Sequence, residues 1–257
     1  NFLLSTNPFP EWNGKEIPEI TAFLKSEYPN HAIVFRSLNE YQHGDLLKIF
    51  ETNRFDTIGS RQVYIFDLTK GDWLKHRNNK HDNKLIKKVG LKFIEHNDME
   101  AHLPEALKLY RKLYLEKYSE LNPQFTLKYF QESYASGIIN FQGYTDDHGF
   151  LKAFSGQFTL DNTVTSPLVG YDTSAPRKEG LYIHAAQLAI LSKFKLGLLL
   201  NLSSGAPEFK RMRGGVPSIE YSALYINHLS KKRRRRWSVL KFISNKIGVP
   251  LIKKYKL

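Results

Sequence analysis

Between residues 138 and 171 the pattern is that of strands, in runs at 138–144, 150–160 and 164–171. Asp146-Asp147-His148-Gly149 and Asp161-Asn162 separate these runs. Such residues tolerate the left-handed backbone of hairpin turns, so the pattern predicts antiparallel strands joined by short loops. Upstream the period becomes helical. From Asp98 or Ala101 onward, Leu103, Ala106, Leu107, Tyr110, Leu113 and Tyr114 share one face, and Asn122-Pro123 breaks the run. Residues 126–135 predict a second short helix. Residues 180–196, rich in Ala, Leu and Ile, predict a third, stopped by Gly197. Before residue 98 the pattern predicts helices at 17–28 and 45–52, strands at 31–36, 61–67 and 91–95, and a very basic stretch at 72–88 ending at Gly90.

The chain centres on residues 198–215. Leu198-Leu199-Leu200-Asn201-Leu202 is an apolar run suited to a strand buried on both faces. It breaks into a small-residue turn containing Gly205 and Pro207, then reaches Lys210, Arg211 and Arg213. Buried strands that lead into such turns are common ligand positions in α/β proteins. The next strand, 218–226, is expected to lie beside it. From residue 98 the order is helix, helix, three strands, helix, strand, strand. This predicts an α/β fold with a mixed (α+β) sheet and a helical crossover.

Charge changes the picture at one end only. The formal net charge is +13, but residues 231–257 hold eleven Lys/Arg and no Asp/Glu, leaving about +2 for the other 230 residues. The body therefore gives no electrostatic argument for nucleic-acid binding. In the tail, Lys231-Lys232-Arg233-Arg234-Arg235-Arg236 precede Trp237, Val239, Leu240, Phe242, Ile243, Ile247, Val249, Leu251 and Ile252. Cations beside an apolar stripe read as an amphipathic helix on an anionic membrane surface, or as a docked terminal helix with solvated charges, ahead of a third reading, RNA contact. There are no cysteines, which removes disulfides and thiolate chemistry and suits a reducing compartment. No uninterrupted apolar run approaches the roughly 20 residues of a membrane span. His-x-x-x-His and His-Glu-x-x-His spacings are absent, so no metal site is expected.

Three stretches resemble the GNAT acyltransferase fold, specifically the Fem-like branch with two GNAT-type units in tandem. They are Lys75–Lys80 with the helix and strand through Leu91, then Leu109–Tyr114 with Phe125–Phe130, and finally Val169–Asp172 through Gly180–Tyr182 to Asn201–Gly205 and Phe209–Gly214. The resemblance covers residues 30–230. It implies a partial first unit at 1–95, a complete acyltransferase unit at 96–230 and the basic amphipathic tail at 231–257. It also implies a bacterial, cytoplasmic enzyme that moves an acyl or aminoacyl group onto an amine by direct attack in a ternary complex, with the tail at 231–257 expected to hold it peripherally at the inner membrane face. The alternative is a non-catalytic membrane-surface binding protein on a decayed GNAT scaffold.

In such enzymes the donor's phosphates lie at the N-terminus of the helix after the central strand, where free N–H groups and the helix dipole favour anions. The family signature is Arg or Gln, two residues, Gly, one residue, then Gly or Ala. Here Arg177 and Gly180 match, while Tyr182 occupies the last position. A ring there limits close approach by a pyrophosphate, so aminoacyl-tRNA stands as the alternative to acyl-CoA. Backbone N–H groups near 168–171 are implied as partners of the donor carbonyl. Asp172 is the first candidate base, against a role as a turn former. Tyr171 and Tyr182 are candidate proton donors or pocket walls, and His184 is expected to be a satisfied, partly buried residue. Ser203 and Ser204 are placed where a donor could touch them, and Lys210, Arg211 and Arg213 are candidate phosphate or carboxylate ligands. Glu220 is a candidate base or Arg partner. No Gly-x-Ser-x-Gly elbow supports a serine hydrolase.

Overall fold

The computed structural model describes residues 4–69, 76–194 and 197–255. Residues 72–75 of the basic stretch and 195–196 of the expected helix lie outside the described residues. In chain order the first elements are α1 (Ile17–Glu27), β1 (Ile33–Asn39), α2 (Glu40–Thr52), β2 (Asp56–Asp67) and α3 (Arg77–Val89). There follow β3 (Lys92–Ile94), α4 (Leu103–Arg111), α5 (Leu127–Ala135), β4 (Asn140–Thr145), β5 (Leu151–Leu160) and β6 (Thr163–Tyr171). The chain closes with α6 (Leu181–Phe194), β7 (Leu199–Asn201), α7 (Pro207–Arg211), β8 (Val216–Tyr225), α8 (Lys231–Phe242) and α9 (Val249–Tyr255).

These elements form two compact units that cut across the linear division expected at residues 95 and 230. The first unit comprises Asn1–Ile65, Ser203–Arg211 and Gly215–Leu257, and the second Phe66–Leu202 and Met212–Gly214. In the first unit β8 pairs antiparallel with both β1 and β2. The expectation that β8 lies beside the 198–202 strand is therefore corrected. A strand's own alternation says which face is buried, but not which partner some 160 residues away supplies its ladder. Phe50 and Leu38 are fully buried in this unit's core, with Ile17, Phe55 and Ala223 around them and Phe35 and Trp12 against them. Helix α2 starts on an Asn cap, whose side chain accepts from the N–H of Gln42.

The basic tail belongs to the first unit. Helices α8 and α9 are joined by a π-helical segment, Ile243–Gly248. The Asn245 carboxamide accepts from Gly59 N–H (2.8 Å) and donates to the Thr57 carbonyl (2.7 Å). One side chain thus satisfies two main-chain groups of β2. Val249 is buried, and Lys241 pairs with Asp56. Trp237 packs against the cluster of Ile58, Leu224, Ile226 and Leu229, so it faces the body, as a docked helix requires, rather than outward, as a membrane-facing stripe would place it.

In the second unit β3, β4, β5 and β6 pair antiparallel in sequence order, and β6 pairs parallel with β7. Alternation along β5 sends Phe154 and Gly156 to the face covered by α4 and α5, where Tyr110, Phe130, Phe141 and Leu168 close the core. Gln157 faces the other way and donates to the Leu188 carbonyl of α6 (3.2 Å). The α4 backbone rides directly on Gly170 of β6: a Cβ there would lie 2.8 Å from Leu109 C and Tyr110 N. Main chain can approach main chain this closely only over glycine.

Candidate active site

The parallel pairing of β6 with β7 covers only Thr163↔Leu199, Val164↔Leu200 and Thr165↔Asn201. It stops at a bulge. The β5–β6 register slips between Gly156↔Leu168 and Phe158↔Thr165, so Ser166 and Pro167 together oppose Gln157. Pro167 has no N–H to give a ladder, which is why a proline is tolerated there. Beyond the bulge, β6 continues to Tyr171 with β5 as its one strand partner among the described residues. Asp172 N–H donates to Lys152 O (2.9 Å). Backbone alternation then directs Leu168 and Gly170 to β5, and turns the N–H groups of Val169 and Tyr171 toward the side from which β7 has ended.

Side chains gather at this end of β6. A π-helical segment, Lys112–Tyr118, continues α4 and carries Tyr114, Lys117 and Tyr118. Such segments are frequent at functional sites. Lys117 Nζ donates to Tyr171 Oη (3.1 Å) and sits 5.6 Å from the Tyr171 ring centroid. The hydrogen bond with Tyr171 raises the Lys117 pKa, so this amine stays charged. The Tyr171 and Tyr182 rings lie 5.8 Å apart. Burial, with Tyr118, Tyr114 and Tyr171 close by, pushes the Tyr182 hydroxyl far above its ordinary range. Tyr182 therefore keeps its proton and can only donate it or share it in a hydrogen bond. Burial likewise pushes Tyr114 to about 12.

No family model matches the sequence, and no curated protein is detectably similar to it. Solved structures are similar. The crystal structure of FemX superposes with a TM-score of 0.64 at 10% identity, over 86% of this chain and 77% of that one. The C-terminal domain of a protein assigned as lysylphosphatidylglycerol synthetase from Agrobacterium fabrum gives 0.59 at 14% identity, over 89% and 78%. L-PGS from Bacillus licheniformis gives 0.57 at 14% identity, over 89% and 77%. The fold is GNAT-like, with Fem-like structural relatives.

In this GNAT-like frame the expected donor turn is Arg177 to Gly180, which precedes α6. Gly180 has φ +60° and its N–H donates to Arg177 O (3.1 Å). A Cβ at Gly180 would displace only the tip of the Leu85 side chain of α3, so it is the left-handed backbone that favours glycine here. Arg177 is exposed on this turn. His184, expected to be satisfied and partly buried, is fully buried and only half satisfied: Nδ1–H donates to Gly180 O (3.0 Å), while Nε2 has no hydrogen-bond partner among the described residues. Burial lowers its pKa, so the ring is neutral.

Several other expected site residues have different occupations. Asp172 is corrected from base to turn anchor. Burial alone would raise its carboxyl, but the Ser174 hydroxyl (2.6 Å) and the Lys152 ammonium (3.0 Å) outweigh that and hold it at about 2. A base so acidic accepts almost no protons near neutrality. Arg213, expected on donor phosphate, is buried in the second unit and holds Asp82 of α3 through Nε–Oδ2 (2.5 Å) and Nη2–Oδ1 (2.8 Å). Gln187 of α6 donates to the same carboxylate (2.8 Å), and Asn79 donates to Arg213 O (3.0 Å).

In the first unit, Glu220 is an Arg partner rather than a base. It is 3% exposed and binds Arg61 in two-pronged fashion at 2.9 and 3.2 Å. Lys210 is also buried, and its ammonium donates to the carbonyls of Ser203 (3.2 Å) and Ser204 (2.8 Å) beside the Tyr64 ring. Burial, then the nearby Arg61 charge, lowers its pKa to about 7. The turn it clasps carries left-handed backbone at Ser203, Gly205 and Ala206. Arg211 donates to Tyr64 Oη (3.1 Å). These cations serve main chain and side chains of their own unit. Sequence reasoning missed Lys117 and Tyr118, whose only local signal was the aromatic and basic content of the α4 extension.

Proposed function

We propose that the protein is an acyl or aminoacyl transferase acting at the outer end of β6, with an amine as acceptor. The observation that carries this reading is the pair of N–H groups, Val169 and Tyr171, presented where β7 has ended and beside a protonated Tyr182. The donor carbonyl lies against these N–H groups. The amine attacks in its neutral form, the developing oxyanion is held by the backbone donors, and the amine proton passes to water. Collapse breaks the bond to the leaving group: a ribose oxygen takes its proton from Tyr182 Oη, which regains one from the water that accepted the amine proton, whereas a thiolate leaves as the anion with Tyr182 Oη donating a hydrogen bond to it. Lys117 and Arg177 supply positive charge for a phosphate-bearing donor. Acyl-CoA and aminoacyl-tRNA both fit that chemistry. One structural relative is named for lysylphosphatidylglycerol synthesis, and a lysyl group is an aminoacyl group, which supports the tRNA-borne donor as strongly as the thioester.

The test is a thermal-shift titration with CoA, acetyl-CoA, long-chain acyl-CoA and aminoacyl-tRNA, repeated on Arg177→Ala. A ligand that binds only the folded state raises the Tm with saturation. The reading expects such a rise for one donor class and its reduction in the variant. No rise with any of them defeats it.

A further inference from the structure

The C-terminal helices leave an apolar face turned away from the protein. Lys241, Asn245 and Val249, four residues apart, form the face that holds β2, through the Asp56 pair, the two bonds to Thr57 and Gly59, and burial of Val249. Leu240, Ile243, Ile247 and Leu251 recur at helical spacing on the opposite side, and are 44, 49, 49 and 45% exposed. Seven of the eighteen exposed large apolar side chains among the described residues lie between Val239 and Tyr255. A patch so concentrated marks an interaction surface rather than scattered exposure. Its surroundings are strongly cationic: Lys231, Lys232, Arg235 and Arg236 line a shallow hollow with Val239, and Lys253 and Lys254 follow at the other end. No acidic residue occurs from Lys231 onward.

We propose that the outward face of α8–α9 is a docking surface for an anionic lipid bilayer, with Ile243, Ile247 and Leu251 in the acyl boundary and the flanking cations on headgroup phosphates. The partner's chemistry follows from the two features together. A nucleic acid would use the cations but leave the apolar stripe in water, whereas an anionic bilayer satisfies both. The inner face already anchors the helices, so docking needs no rearrangement of the first unit.

The experiment is co-sedimentation of the full chain with vesicles of phosphatidylcholine alone, and with phosphatidylcholine containing about one-third phosphatidylglycerol. It is repeated on Ile243→Ser/Ile247→Ser/Leu251→Ser and on Arg235→Ala/Arg236→Ala. At about 1 kcal/mol per cation near a charged surface, the double Arg variant loses about thirty-fold in partitioning to the anionic vesicles. The apolar variant loses more than about ten-fold. Both variants keep the wild-type melting temperature, because the altered side chains point outward. Equal binding to neutral vesicles, undiminished binding by the apolar variant, preference for single-stranded RNA over vesicles, or a soluble dimer that ignores vesicles would each overturn the proposal.

Discussion

Replacing Arg213 by Met tests whether this cation builds the fold or binds a ligand. Its guanidinium is 9% exposed and its partner, Asp82, is 4% exposed. Two charge-assisted bonds at 2.5 and 2.8 Å join them, and Gln187 adds a third to the carboxylate at 2.8 Å. Arg213→Met leaves the carboxylate buried with Gln187 alone among these partners. Removing one member of a buried pair costs about 3–5 kcal/mol, because the survivor has been stripped of water without compensation. Asp82→Leu strands the guanidinium and costs a similar amount. The double variant removes both charges, so its loss falls well below the sum, and the cycle yields a coupling of about 1–3 kcal/mol. Urea unfolding of the four proteins, followed by far-UV circular dichroism, supplies the free energies. A loss below about 1 kcal/mol for Arg213→Met, or strictly additive losses, would refute the structural role. Weakened donor binding in a fully stable variant would return Arg213 to the ligand.

Gly170→Ala is expected to destabilise by about 2–3 kcal/mol, because the added carbon meets α4 main chain, which cannot turn away, as well as the buried Phe154 ring; thermal unfolding measures it. The Lys210 pKa is depressed in the folded state, so between pH about 7 and its unfolded value the unfolded chain binds the extra proton, and stability rises with pH across that window. Lys210→Met removes this contribution, and melting curves from pH 6.5 to about 10 show it as a flatter profile. Tyr182→Phe keeps the ring but removes the proton donor, and is expected to lower kcat by about 10²-fold or more with little change in donor affinity; a steady-state transfer assay separates the two.

Much of the second unit was legible in the sequence. Apolar-rich runs in β4, β5 and β6, with Asp- and Gly-containing turns between them, mark strands and hairpins by local rules alone, although β5 is buried on both faces from Ala153 to Gln157. The α4 stripe through Leu103, Ala106, Leu107 and Tyr110 is legible for the same reason, since each lies in the core. Partnership over distance was not. Nothing near β8 says that it pairs with β1 and β2, and nothing near Arg213 says that a carboxylate 131 residues earlier neutralises it. A cationic run in a loop looks like a solvated or ligand-binding face until its partners are known, and Lys210 and Arg213 both proved buried. Asp172 shows the reverse. Its Thr-Ser-Ala-Pro context carried the turn signal that the structure bears out through Ser174. The tail's amphipathicity was visible, but the inner face was not: Asn245 grips β2 with a polar side chain that hydropathy does not flag, and Trp237 faces inward.

The most direct measurement is residue-resolved amide hydrogen exchange across β6, with and without saturating CoA or aminoacyl-tRNA. Leu168 and Gly170 already bond to β5, so their exchange should change little. Val169 and Tyr171 face the open side, and donor binding there should protect both. Protection confined to these alternate positions is the result predicted for a transferase whose donor carbonyl rests on β6. A donor that binds and leaves Val169 and Tyr171 unprotected would contradict it.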